Sequence, residues 1–116
     1  MRYLTLLHGV APATPPPPAL IQALGQLGQE AAAMGVLVDT AGIAPGAARQ
    51  ARLCDGALEE SEPDQGTRDM VAYAVYEAES RHEVLDWTQR FLQAHAEHWP
   101  EWTGSCTILD TLGGQS

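Results

Sequence analysis

Two side chains with acid–base capacity stand where strands are expected to end or turn. Asp39 interrupts the apolar run GVLVDTAGIAP, residues 35–45, and His8 closes RYLTLLH just before a glycine. A carboxylate desolvated between a sheet and its partner has a raised pKa and can serve as a general base. A histidine at the C-terminal end of a strand, facing a cleft, can carry a proton near neutral pH. Asp39 and His8 are therefore the candidate catalytic pair. Each also has a structural reading: Asp39 as an acceptor at a strand end for backbone N–H groups, Arg49 or Arg52, and His8 as a satisfied histidine.

Other groups carry weaker signals. Tyr73 and Tyr76 are at odd spacing on one expected strand, so they face opposite ways, and one hydroxyl could reach a pocket. Tyr73 is taken as the candidate for a ligand pocket. His95 and His98, with Glu97 and Glu101, have the spacing to share a helix face, but no third or fourth His or Cys stands near, so a solvated helix end is expected rather than a metal site. Trp99 and Trp102 are expected to pack that helix end or a dimer interface. Cys54 and Cys106 form no Cys-x-x-Cys pair and suggest neither zinc nor a disulfide framework. There is no Gly-x-Ser-x-Gly, P-loop or dinucleotide fingerprint, so no cofactor is expected.

These residues must be positioned by one domain of 116 residues, enough to bury roughly 60–70% of its unfolded surface. Six basic against fifteen acidic residues give a formal charge of −9, which repels phosphates and argues against nucleic acid or an anionic membrane as partner. The opening apolar run is too short for a secretory signal, and no stretch is long enough to span a membrane, so a cytoplasmic protein is expected.

Residues 2–8 read as a central strand buried on both faces. The run Pro15–Pro18 reads as a polyproline II connector or a lead-in with Pro18 in the first turn of a helix, and less readily as a ligand for a proline-reading domain. Leu20, Leu24, Leu27, Ala31 and Met34 predict an amphipathic helix over 19–34, closed by Gly35. Gly25 and Gly28 weaken it and are read as allowing close approach to a sheet. VLVDTAGI reads as a strand with Leu37, Asp39 and Ala41 on one face, and Pro45 leads on. Residues 47–61 read as a hairpin turning at Asp55-Gly56, 61–69 as a polar loop, and 69–77 as a strand. Ser80 and Glu83 mark a capping box for a helix with Val84, Thr88, Phe91, Leu92 and His95 on its stripe, widened by Leu85. Residues 103–110 supply the last strand, and the tail 111–116 is expected to fray.

The order β-α-β, hairpin, β-α-β predicts an α+β fold of the ferredoxin-like βαββαβ plan with a β-hairpin insertion. Leu4 and Leu6 point away from Tyr3, Thr5 and Leu7, and both sets are mostly apolar. One helix layer cannot cover both faces, so a homodimer with sheet against sheet is expected.

With those elements in place, GVLVDTAGIAP, the alternating ARQARLCDG, the opening MRYLTLLHG and the late VAYAVYEAESRHEVLDW together resemble the YCII-related family, in its DGPF-domain branch. The likeness covers most of residues 1–95. It implies a ferredoxin-like fold paired as a dimeric α/β barrel. The tetrapeptide that names the branch is matched only by Asp64 of Asp64-Gln65-Gly66-Thr67, which makes Asp64 a second candidate for a ligand pocket. The acid–base pair proposed for YCII-type relatives does not carry over, since the first helix lacks a His and the first strand ends in His8-Gly9 rather than an Asp. Three functions are thus expected to compete: a small homodimer binding a small molecule, a cofactor-free isomerase, lyase or monooxygenase-like enzyme using Asp39 and His8, and a protein-interaction or regulatory module.

Overall fold

The computed structural model describes residues 1–10, 14–44 and 48–112. The expectations for Pro45 and for the end of the tail lie outside the described residues. Strand β1 (Arg2–Val10), helix α1 (Pro18–Ala33), β2 (Leu37–Gly42), β3 (Gln50–Cys54), β4 (Ala57–Ser61), α2 (Gln65–Arg68), β5 (Met70–Glu77), α3 (Arg81–His98) and β6 (Thr103–Asp110) follow in chain order. This is a mixed α+β chain with a four-stranded antiparallel sheet in the order β2-β5-β1-β6 and a separate two-stranded hairpin, β3-β4. Among the described residues the sheet stays open and no barrel closes.

Local chemistry explains the boundaries. Pro18 enters α1 from an extended Pro17 (φ −63°, ψ 146°), where a missing N–H costs nothing. Gly35 adopts φ +75° at the other end. There its N–H donates to Ala32 O and that of Val36 to Ala31 O, a Schellman closure. At α3, the Ser80 hydroxyl accepts the Glu83 N–H at 3.2 Å. The Glu83 carboxylate reaches back to the N–H of Glu79 at 3.0 Å, one residue earlier than a standard capping box. Asp55 (φ 51°) and Gly56 (φ 79°) make the left-handed pair of a type I′ hairpin turn. The expected polar loop is in part helical: Asp64 caps α2 by accepting the Thr67 N–H at 2.9 Å, which holds its carboxyl below the usual range.

Tyr3, Thr5 and Leu7 are buried on the sheet face that meets α1 and α3, whereas Leu4 and Leu6 on the other face are only half-buried. β1 is therefore not buried on both faces within a single chain. Strand β2 holds a second correction. A bulge between Leu37 and Asp39 pairs Leu37 with Tyr76 but Asp39 with Val75. Leu37 consequently packs on the core, while Asp39 and Ala41 take the open face, so the three do not share a side.

The core joins Tyr3, Ala31, Val36, Tyr76, Ala78, Val84 and Trp87. Leu85, expected to widen the α3 stripe, is exposed, and Trp87 takes its place among the buried residues. The hairpin shares no extensive packing with sheet or helices. Its cross-strand pair Leu53 and Leu58 is 72% and 82% exposed.

Candidate functional site

The space between helix layer and sheet is filled unevenly. Over the Tyr3 end, aromatic and branched residues close it. Farther along, α1 presents Gly25, Gly28 and Ala31, while the sheet presents Gly42, Ala72 and Ala74. Small side chains facing one another cannot fill the roughly 10 Å between packed layers. The result is a cavity of about 380 Å³, walled additionally by Leu7, Leu24, Trp87 and Phe91. The expected role of the two helix glycines is thereby corrected: a Cβ at Gly25 or Gly28 would meet no atom within 4 Å, so they leave room rather than allow close approach.

The wall is mostly apolar, with a few polar atoms. The Thr5 hydroxyl donates to Ala74 O at 3.3 Å and that of Thr40 to Tyr73 O at 2.8 Å, so both are engaged. Tyr76 and Thr88 are 9% and 4% exposed, line the same cavity, and have hydroxyls with no hydrogen-bond partner among the described residues. Cys106 lines it too, and burial pushes its thiol up to about 11. Burial, and then the neighbouring Cys106, raise the Tyr76 phenol as well. At neutral pH both are uncharged donors. Among the described residues, no Asp, Glu, Lys, Arg or His lines the cavity.

Of the residues singled out from sequence, Tyr73 borders this cavity, while Asp39, His8 and Asp64 lie elsewhere. Asp39 is exposed on the open face, where its carboxylate accepts the Tyr73 hydroxyl at 2.8 Å. That hydrogen bond raises the Tyr73 pKa. Neither Arg49 nor Arg52 serves Asp39; Arg49 pairs with Glu60 at 2.6 Å. His8 Nδ1 donates to the Gly66 carbonyl at 3.2 Å, tying the end of β1 to the turn of α2. Asp39 and His8 stand on strands separated by β5, and neither lines the cavity. Asp64 is engaged as the α2 cap. Tyr73 borders the cavity, but its hydroxyl is committed to Asp39.

His95 corrects another expectation. It is 6% exposed rather than solvated, its Nδ1 donating to Phe91 O at 3.0 Å and its ring packed at a tilt against Trp102, with centroids 4.4 Å apart. Trp102 in turn lies over Gly9 and Gly104, where a Cβ would come within 2.3 and 2.2 Å of its ring. Trp99 is buried, as expected of a residue that packs the helix end.

What sequence reading missed was the cavity itself, although Gly25 and Gly28 on an otherwise apolar helix face were its visible trace. No protein-family model and no curated protein matches the chain. Among the described residues, no helix is long and apolar enough to cross a membrane.

Proposed function

We propose that this chain is a YCII-like, ferredoxin-like cytoplasmic protein that pairs as a dimeric α/β barrel and binds a small molecule between its helices and sheet. The observation that carries the binding reading is the 380 Å³ cavity, which lies in the size range of small-ligand sites and far above the water-sized gaps of a packed core. Support for the fold reading comes from the strand order: leaving out the hairpin, the order is second, third, first, fourth, all antiparallel, as a βαββαβ plan requires. Support for the dimer comes from the open face, where Leu4, Leu6, Val75 and Leu109 form an apolar surface in a chain of net charge −9.

Binding is favoured over catalysis because the acid–base groups lie outside the cavity. The test is ligand-observed NMR with a mixed set of neutral, anionic and cationic aromatic fragments, followed by amide shift mapping. Hits that perturb Ala74, Thr88 and Cys106 support the reading. A set in which nothing binds there overturns it.

A further inference from the structure

From the wall chemistry we infer that the cavity selects a neutral, largely apolar molecule carrying a hydrogen-bond acceptor, such as an aryl ketone, and rejects carboxylates and amines; this rests on the binding reading above. Three observations converge on that class. The wall is built of Leu, Ala, Gly and aromatic side chains, which favours an apolar body. Among the described residues it offers no charged group, so an ion entering it would lose hydration with no counter-charge to replace it. The arginines stand outside: Arg2 pairs with Glu77, Arg49 with Glu60, Arg68 with Glu62, Arg81 with Asp110 and Arg90 with Glu30, while Arg52 is exposed on the hairpin.

The acceptor requirement comes from Tyr76 and Thr88. Both are more than nine-tenths buried, both line the cavity, and among the described residues neither hydroxyl has a hydrogen-bond partner. Such a hydroxyl is reached by water from the cavity, so a ligand that accepts from it replaces a hydrogen bond that a pure hydrocarbon would remove. Cys106 adds a neutral thiol beside the phenol. Thr5 and Thr40, whose hydroxyls are occupied, contribute only surface.

The experiment uses the full chain and two probes of nearly equal shape, 2-acetonaphthone and 2-naphthoate, by calorimetry at pH 7. The ketone is expected to bind at least about tenfold more tightly than the carboxylate. Tyr76→Phe, which keeps the ring, and Thr88→Val, which keeps the shape, are each expected to weaken the ketone roughly fivefold. Gly28→Leu, or Gly25→Leu if the first variant fails to fold by circular dichroism, is expected to abolish binding of both. Equal affinity for the two probes, or no loss in either hydroxyl variant, overturns the ligand class while the cavity stays a binding site. Undiminished ketone binding in the filled variant, or binding of neither probe in a chain whose cavity takes no fragment at all, overturns the binding reading itself.

Discussion

At the scale of single residues, the glycines divide into two kinds with opposite mutational signs. Gly25 lies on α1 with open space beside it, so Gly25→Ala meets nothing and recovers helix propensity, an expected gain of about 0.5–1 kcal/mol. Gly104 faces the Trp102 ring at 2.2 Å and His8 O at 2.4 Å from an added Cβ. Backbone cannot retreat as a flexible side chain does, so Gly104→Ala is expected to cost about 1–3 kcal/mol. Thermal melts of the two variants should move in opposite directions. The cysteines divide similarly. Cys54 is exposed and Cys106 partly buried with a thiol pushed up to about 11, so an aromatic disulfide reagent at pH 8 is expected to titrate one thiol quickly and the second only on unfolding. Because the folded value is raised by burial, the stability tied to a neutral Cys106 is intact below the ordinary thiol range and is lost as pH climbs toward about 11.

At the scale of elements, α3 is held by its own ends. Ser80 caps its first turn, and Ser80→Ala is expected to lower stability by about 1 kcal/mol, read by denaturant titration. Arg81 then fastens the helix to the end of β6 through two hydrogen bonds to Asp110, at 3.0 and 2.7 Å. Arg81 holds the Asp110 carboxyl below its ordinary value. Its contribution is therefore present above the unfolded pKa of about 4 and is lost as pH falls through the lower folded value. The Tm difference between the native chain and Arg81→Gln should shrink toward zero as pH drops below about 4, and both groups are exposed enough to keep it small at any pH. The hairpin shows the converse case. Two strands without a covering layer are marginal in water, and among the described residues the Leu53–Leu58 pair stays largely exposed.

At the scale of the whole molecule, the radius of gyration of 15.9 Å exceeds the roughly 13 Å expected for a compact chain of this length, in keeping with a hairpin that does not fold back on the body. The proposed dimer would cover the open face, where charge is sparse: Asp39 is bonded to Tyr73, and Glu77 is neutralised by the N-terminal ammonium and Arg2. Sedimentation at micromolar concentration is expected to give a dimer, and Leu6→Glu, at the centre of that face, is expected to give a folded monomer. A native chain that sediments as a monomer would remove the dimer from the proposal.

Much of this architecture can be read from residue types alone, because it rests on local rules. The glycine at the end of α1, the Asp55-Gly56 turn, the Ser80 cap and the bounds of the last strand depend on backbone freedom and near-neighbour hydrogen bonds, which residue types alone dictate. The opposed faces of Tyr73 and Tyr76 follow from alternation alone. The face of Asp39 does not, since a bulge is a mismatch between two strands and is invisible in either one. The burial of His95 needs Trp102 brought back across Gly9 and Gly104. The cavity needs most: two layers had to be superposed before Gly25 and Gly28 could be seen to face Gly42, Ala72 and Ala74. Sequence determines which residues are small, but only the packed layers determine whether small residues meet one another and leave a space.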